Sequence, residues 1–287
     1  MKVALTGGTG FIGQHVRKLL AKSEHEVLLL FRKQAKIIEL RANEKFVIAD
    51  ISEDRDDWFD YLDQPDVLLH LAWGGLPNYL DNYHVEIELP IQSKFLTKVV
   101  ASGLPKLVVT GTCYEYGLTS GALVESQETN PNTPYGVAKD HLRKSLSDLR
   151  SEFKFELTWA RIFYPYGDGQ SEMSIYSQLR AAMLNGDQQF KMGNGKQVLD
   201  FISVEKVAST LVSLTTGCAG VGLVNIGSGE PQSVLDFVQS QIRALGAQLE
   251  LLVGALPDRN FESQSFWADE TKLLDLLNEA DVDSGMD

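Results

Sequence analysis

The glycine-rich turn near the N-terminus constrains the fold of this chain more than any other stretch. Met1–Thr6 has the composition of a strand, and Gly7, Gly10 and Gly13 follow it at intervals of three residues. The apolar residues after the turn share one face of a helix: Ile12, Val16, Leu19 and Leu20. In such a strand–turn–helix unit, the first glycine permits a tight turn. The second lets a pyrophosphate approach the backbone, and the third lets the helix lie close to the strand.

The start of this helix is the predicted binding site for the pyrophosphate of a dinucleotide. Free N–H groups and a partial positive charge at a helix N-terminus favour phosphate oxygens. The alternative is a glycine turn that binds nothing, and the flanking strand and helix argue against it. We therefore predict that a dinucleotide contacts Gly7, Thr9, Gly10, Phe11, Ile12 and Gly13.

Length, charge and cysteine content limit the remaining choices. A chain of 287 residues suits one α/β unit with a substrate lobe, or two closely joined domains. The net charge of −13 argues against a nucleic-acid or anionic-membrane partner, so an anionic ligand would need local positive groups. Cys113 and Cys218 lack metal-type spacing, and we expect reduced thiols, no metal and a cytoplasmic protein. We expect neither a leader peptide nor a membrane span.

The second predicted strand ends where the adenosine ribose of the cofactor would lie. Glu26–Phe31 is apolar, as in a buried parallel strand, and Arg32 and Lys33 follow it. NAD enzymes place Asp or Glu there to bind the ribose hydroxyls, whereas a basic pair would attract a 2′-phosphate. We therefore predict NADP(H) as the preferred cofactor, with NAD(H) as an alternative. The other interpretation of the pair is a solvated strand end.

Residues after the third and fourth strands are further candidates for the cofactor site. Asp50 ends the predicted strand Lys45–Asp50, and it is either an acceptor for the adenine amino group or a surface aspartate. The fourth strand, Val67–Ala72, leads into a loop over the cofactor. His70 lies in an apolar run and is interpreted as a core residue. The candidates here are Asp50, Ile51, Leu71 and Ala72 for the cofactor and Trp73 for the substrate.

The spacing of Tyr135 and Lys139 indicates a catalytic pair. The two residues lie four apart on a predicted helix and therefore share one of its faces. An ammonium beside a phenol lowers the pKa of the tyrosine, which can then exchange a proton with a substrate oxygen. Thr112 follows the fifth strand and could hydrogen-bond the same oxygen, with Thr110 facing the cofactor. The alternative is an amphipathic helix with a surface lysine, and the position after a fifth strand favours catalysis.

Together these residues resemble the extended short-chain dehydrogenase/reductase family, in its nucleotide-sugar epimerase, dehydratase and reductase branch. The resemblance runs from Met1 to about Lys272 and rests on Thr6–Gly13, Asp50, His70–Ala72, Thr110–Thr112, Tyr116-Gly117, Tyr135-x-x-x-Lys139, Arg161–Gly167, Asp200–Val204, Asn225–Gly229 and Phe266–Asp269. It implies an α/β fold, a Rossmann-type doubly wound parallel sheet with a smaller C-terminal substrate lobe. It also implies Tyr135 as acid/base, Lys139 as ligand of the nicotinamide ribose and Thr112 as ligand of the sugar oxygen.

The resemblance implies a substrate site as well. Arg259 lies eight residues before Trp267, where the family has an arginine that binds the nucleotide diphosphate; its other interpretation is a surface arginine. Tyr164 stands in place of the usual Asn and is a predicted substrate contact. Leu199 stands in place of a second diphosphate-binding Arg, for which Lys191 or Lys196 could substitute.

Two departures from the family motifs narrow the predicted reaction. Dehydratases of this branch follow the catalytic Thr with Asp-Glu, whereas this chain has Cys113 and Tyr114. The epimerase-reductase that makes GDP-fucose uses a Cys and a His, and no His lies near Gly167. Both departures disfavour those reactions and leave hydride transfer at one carbon.

The resulting prediction is a reductase that delivers hydride from NAD(P)H to C4 of a dTDP-4-keto-6-deoxyhexose. A reductase exchanges its cofactor at each turnover, which suits NADPH, and Leu71–Pro77 and Val109–Gly117 resemble bacterial reductases of this type. Such an enzyme would serve deoxysugar synthesis for surface polysaccharide, such as lipopolysaccharide O-antigen. The alternatives are an NAD-dependent nucleotide-sugar 4-epimerase and a non-catalytic NADP-sensing protein. The resemblance also implies a homodimer.

The predicted domain organisation has three parts. Residues 1–165, with a return segment 199–226, form the dinucleotide-binding domain. Residues 166–198 and 227–275 form the substrate-binding lobe, and 276–287 form an acidic tail, of which we expect 281–287 to be disordered.

Overall fold

The computed structural model describes residues 1–32, 39–217, 220–257 and 263–284. Seven strands of these residues form one parallel sheet: β1 (Lys2–Thr6), β2 (Glu26–Phe31), β3 (Glu44–Ile48), β4 (Val67–His70), β5 (Lys106–Thr112), β7 (Glu156–Ile162) and β11 (Gly222–Ile226). Their spatial order is β11-β7-β5-β4-β1-β2-β3. The chain therefore moves outward from β1 in one direction and then returns to β4 on its other side. This reversal creates a crevice at the carboxyl ends of β1 and β4, which is where ligands bind in such sheets.

A smaller sheet lies apart from the large one. It joins β6 (Ser120–Leu123), β8 (Tyr164–Tyr166), β10 (Val198–Ser203), β12 (Pro231–Ser233) and β14 (Ser265–Ala268), and β9 (Gln189–Met192) pairs separately with β13 (Glu250–Val253). The helices are α1 (Phe11–Leu20), α2 (Trp58–Tyr61), α3 (Leu89–Ala101), α4 (Pro134–Leu149), α5 (Ile175–Asn185), α6 (Val204–Thr216), α7 (Val234–Ala244) and α8 (Thr271–Ser284). A π-helical turn, His84–Glu88, leads into α3, and a 3₁₀ turn, Cys113–Tyr116, follows β5.

Both faces of the large sheet are covered, as its apolar strands require. Successive side chains of a strand point to opposite faces, so Val3 and Leu5 of β1 join a cluster with Val16 of α1 and Leu211 of α6. Ala4 joins a second cluster, which includes residues of α3 and α4. This arrangement confirms the predicted doubly wound parallel sheet.

The structure corrects the prediction for the C-terminus. Residues 281–287 of the predicted acidic tail were expected to be disordered, but α8 continues to Ser284. The reason is apolar anchoring, because Leu273 is buried and Leu276 and Leu277 pack against the cluster that contains β1. Residues 285–287 lie outside the described residues.

Segments that belong to the large sheet and to the smaller sheet alternate along the chain. β6 and β10 lie in the smaller sheet although both fall in stretches predicted for the dinucleotide-binding domain, and α6 and β11 carry the chain back to the large sheet. The division into two domains stays a prediction. In the described part of the chain, no helix combines the length and apolar character that crossing a membrane requires.

Candidate active site

The glycine turn between β1 and α1 forms a cradle of backbone atoms. Gly7 has a φ of +70°, and a Cβ there would lie 2.7 Å from the backbone nitrogen of Ala72. A Cβ on Gly13 would overlap the carbonyl oxygen of Gly7. Gly10 is the N-cap residue of α1, so no capping side chain occupies the N–H groups at the start of this helix. Thr9 and Gly10 are exposed. Since only glycines fit this cradle and the helix N-terminus opens onto it, these residues fit a dinucleotide pyrophosphate.

A chain of buried hydrogen bonds links β1, β4 and α3 beneath this cradle. The Nδ1 atom of His70 lies 2.9 Å from the Thr6 hydroxyl, and its Nε2 atom lies 2.6 Å from Oε1 of Gln92. Gln92 donates to Glu88 at 2.7 Å, and Glu88 accepts from the backbone N–H of Gly74 at 2.8 Å. Burial, with the charge of Lys139, lowers the pKa of His70 to about 3. The interpretation of His70 as a neutral core residue is confirmed.

The predicted adenosine end of the site is partly described. Asp50 accepts a hydrogen bond from the backbone N–H of Ser52 at 2.9 Å, and this bond, with the nearby charge of Arg32, keeps the pKa of Asp50 below its usual value. Arg32 directly follows β2 and is exposed, and its effect on Asp50 places the two side chains near each other at the carboxyl edge of the sheet. Ile51 is half-buried against the cluster that contains Ala4. Lys33 lies outside the described residues.

Leu71 and Ala72 tie the end of β4 to β1. The backbone N–H of Leu71 donates to the carbonyl oxygen of Thr6 at 3.3 Å, and that of Ala72 donates to the Thr6 hydroxyl at 3.4 Å. Because Leu71 and Ala72 also lie against Gly7, both residues border the glycine cradle, and their contact with the cofactor stays a prediction.

The structure brings together Thr112, Tyr135 and Lys139 at the carboxyl end of β5. Thr133 caps α4 by accepting a hydrogen bond from Gly136, so Tyr135 and Lys139 lie on the first turns of this helix. The ammonium of Lys139 donates to the carbonyl oxygen of Thr110 at 2.8 Å. The hydroxyl of Thr112 hydrogen-bonds to the Tyr135 side chain.

The pKa of Tyr135 contradicts the sequence prediction. Burial raises this pKa well above that of an exposed tyrosine, and the neighbouring Tyr79, Glu115 and Cys113 raise it further, while the hydrogen bond to Thr112 lowers it. The expected lowering by Lys139 is absent for a physical reason. Burial reduces the pKa of Lys139 itself to about 7, and its ammonium lies 6.0 Å from the centre of the Tyr135 ring.

Glu115 is a central residue of the site that the sequence analysis missed. Its side chain is fully buried and accepts hydrogen bonds from the Thr112 backbone at 2.9 Å, the Trp159 indole at 2.9 Å and the Arg161 guanidinium at 2.7 Å. Arg143 lies 3.6 Å away. The spacing Thr112-x-x-Glu115 is that of a capping box, which could have identified the residue.

Aromatic rings surround the Tyr135 side chain. Trp73, Tyr79, His84 and Tyr114 have ring centres 5.9, 5.5, 5.2 and 6.2 Å from that of Tyr135. Tyr79 and Tyr114 stack on each other at 5.0 Å, and Tyr164 lies 6.2 Å from Tyr114. Of the predicted substrate contacts, Trp73, Thr112 and Tyr164 thus belong to one connected group.

The predicted diphosphate contacts are described only in part. Arg259 lies outside the described residues. Leu199 is buried in the apolar cluster of the smaller sheet. Lys191 and Lys196, its suggested substitutes, are exposed on the surface.

Several known proteins are similar to this chain over most of its length. A dTDP-6-deoxy-L-talose 4-dehydrogenase (NAD(+)) from Aggregatibacter actinomycetemcomitans is 27% identical over 273 residues, which cover 93% of this chain and 99% of that protein. A UDP-N-acetylglucosamine 4-epimerase from Methanobrevibacter ruminantium M1, in complex with UDP-N-acetylmuramic acid, has a TM-score of 0.83 at 21% identity, over 96% of this chain and 91% of that one. A UDP-glucuronic acid 4-epimerase from Bacillus cereus, in complex with UDP-glucuronic acid and NAD, has a TM-score of 0.83 at 24% identity, over 97% and 93%.

The two structural likenesses show the fold, and the family follows from a separate match. The sequence model of the NAD dependent epimerase/dehydratase family matches residues 3–227, which is well over half of the chain. The match spans the glycine cradle as well as Thr112, Tyr135 and Lys139. The predicted resemblance is therefore confirmed, and this chain belongs to the NAD dependent epimerase/dehydratase family.

Proposed function

We propose that this protein reduces the C4 keto group of a dTDP-4-keto-6-deoxyhexose with NAD(P)H. The observation that carries the proposal is the buried group of Thr112, Tyr135 and Lys139 beside the glycine cradle. Cys113 and Tyr114 follow Thr112, so this turn lacks the paired carboxylates that dehydration requires. The A. actinomycetemcomitans relative supports the substrate class, since its name describes oxidation at C4 of a dTDP-6-deoxyhexose, the reverse of the proposed reaction.

The protonation state of Tyr135 suits the reductive direction. A bound nicotinamide supplies the hydride, and the residues of this chain manage the substrate oxygen. With its raised pKa, the Tyr135 phenol is protonated at neutral pH and can donate its proton to the oxygen as negative charge develops. Thr112, hydrogen-bonded to Tyr135, orients the same oxygen. Lys139, on the same helix face, would bind the nicotinamide ribose.

The cofactor preference rests on Arg32. We propose that its guanidinium, exposed beside Asp50 at the adenosine edge, binds the 2′-phosphate of NADP(H). NAD(H) is the alternative, supported by the NAD bound to the B. cereus enzyme and by the name of the A. actinomycetemcomitans relative. If Arg32 forms charge-assisted bonds to that phosphate, Arg32→Ala should weaken NADPH about 10- to 100-fold and leave NADH unchanged. Equal effects on both cofactors would contradict this role.

A 4-epimerase is the second candidate function, because both compared solved structures are 4-epimerases. An epimerase returns the hydride to the same sugar and keeps its NAD bound, whereas a reductase consumes NAD(P)H. The non-catalytic alternative has less support, since Thr112, Tyr135 and Lys139 are all present. Homodimer formation stays a prediction, which sedimentation velocity of the purified chain would test.

Nicotinamide absorbance during turnover tests the proposal directly. Purified protein is mixed with dTDP-4-keto-6-deoxyglucose and NADPH or NADH, and the product is identified by NMR. We expect loss of reduced cofactor, and Tyr135→Phe should lower turnover by about 10²- to 10⁴-fold while cofactor binding persists. Copurified NAD, no cofactor consumption and interconversion of UDP-glucose and UDP-galactose would instead establish the epimerase.

A further inference from the structure

Lys139 is held in an unusual environment for a buried ammonium. The residue is 2% exposed, and none of the ion pairs found among the described residues includes it. Its ammonium donates to the carbonyl oxygen of Thr110 and lies 3.9 Å from the centre of the Trp73 ring. The indole face thus lies where a carboxylate would stand in a buried salt bridge. A desolvated ammonium over indole forms the strongest type of cation–π interaction.

The indole ring of Trp73 is itself fixed on its other side. Its Nε1 donates to Nδ1 of His84 at 3.1 Å, which leaves Nε2 of His84 to donate to the carbonyl oxygen of Asn78 at 2.9 Å. The His84 ring stacks on the indole with an interplanar angle of 25°. His84 is fully buried. The orientation of the indole is therefore set by the loop after β4 and the π-helical turn, independently of Lys139.

From this geometry we propose that Trp73 is a positioning residue for Lys139, whose indole face holds the ammonium in place and keeps it protonated at neutral pH. The effect of this contact on catalysis rests on the proposed function; the contact itself does not. Because Trp73 lies in the loop after β4 and Lys139 lies on α4, the interaction also joins this loop to α4.

The charge balance around Lys139 explains why such a contact matters. Burial lowers the pKa of Lys139 to about 7, while the carboxylates of Glu115 and Glu88 raise it from a distance. Other titratable groups on these elements are His70 of β4, which burial keeps neutral, and Tyr135 of α4, which burial keeps protonated. His84 of the π-helical turn contacts the rings of both Trp73 and Tyr135. With the charged and neutral forms close in free energy at neutral pH, a modest interaction with the ring decides the protonation state.

Indole fluorescence provides a test that does not depend on enzymatic activity. A proton on an ammonium 3.9 Å from the ring alters the emission of Trp73, so the emission should show a titration step at or above neutral pH. Lys139→Met and Trp73→Phe should each abolish the step. Trp267→Phe, a change to a half-buried tryptophan of the smaller sheet, should retain it. A step that persists in Lys139→Met would overturn the proposal.

Replacement of tryptophan by fluorinated tryptophans tests the cation–π character without changing shape or the N–H group. Each fluorine weakens the negative face of the ring, so the midpoint of the step should fall with fluorine number, by about one pH unit in total. The control for effects of the other tryptophans is the Trp73→Phe protein, followed by its turnover. Fluorination of its remaining tryptophans should leave the pH profile of turnover unchanged. A midpoint that does not respond to fluorination would overturn the proposal.

The positioning role of Trp73 and the proposed reaction can be refuted separately. If the fluorescence step shifts but no keto sugar is reduced, the contact of Trp73 with Lys139 stands and the proposed reaction is wrong. If NADPH-dependent reduction is observed and the step is independent of Lys139 or of fluorination, the reaction stands and the positioning role is wrong.

Discussion

Replacement of Glu115 by Gln is expected to destabilise the protein severely although the two side chains have the same shape. The hydrogen-bonding partners of the two Glu115 carboxylate oxygens are all donors. They are the Thr112 backbone N–H, the Trp159 indole N–H and the Arg161 guanidinium. An amide can offer one oxygen, so its NH₂ group must face another donor. If the oxygen serves Thr112 and Trp159, Arg161 is left unpaired.

The magnitude follows from the burial of Arg161. This residue is 1% exposed, its guanidinium lies over the Tyr116 ring, and its Nη1 already lacks a hydrogen-bond partner within the described residues. Removal of one partner of a buried ion pair costs about 3–5 kcal/mol, because an uncompensated charge remains. With a urea m-value of about 3 kcal/mol/M, the midpoint of unfolding should fall by about 1–1.7 M.

Urea unfolding followed by circular dichroism measures this shift. The matched control is Glu86→Gln, the same substitution at an exposed position of the π-helical turn, which should change stability by less than about 0.5 kcal/mol. A Glu115→Gln midpoint equal to that of the control would refute the reasoning that Glu115 compensates Arg161.

Two further predictions concern the cradle and the core. Gly13→Ala should lose NADPH binding in calorimetry and about 1–3 kcal/mol of stability, because its Cβ would overlap backbone atoms of Gly7. Gly10→Ala should lose less stability, since its Cβ would lie 3.3 Å from the same carbonyl oxygen; equal losses would contradict the overlap argument. For His70, the folded pKa of about 3 lies below the unfolded value of 6.5, so the unfolded state binds the extra proton between these values. The free energy of unfolding should therefore fall by about 1.4 kcal/mol per pH unit as pH decreases through this range, and His70→Asn should remove that contribution.

Local sequence patterns determined much of the fold and pointed to the proposed catalytic group. The spacing of Gly7, Gly10 and Gly13 indicated a cradle, and backbone contacts at Gly7 and Gly13 leave no room there for a side chain. Tyr135 and Lys139 were recognisable because helix geometry alone brings residues four apart onto one face. The apolar strands indicated a buried parallel sheet, since a strand covered on both faces has no polar alternation.

Tertiary structure alone decided how these residues behave chemically. Desolvation depends on every element packed around a group, so neither the raised pKa of Tyr135 nor the lowered pKa of Lys139 follows from their four-residue spacing. The hydrogen bonds of Glu115 join residues up to 46 positions apart, and no local pattern contains Trp159 or Arg161 as its partners. Trp73 meets Lys139 only because the loop after β4 and the first turns of α4 lie at the same edge of the sheet. The chain thus encodes its chemical groups locally, whereas their charges and contacts arise only when the folded core excludes water from them.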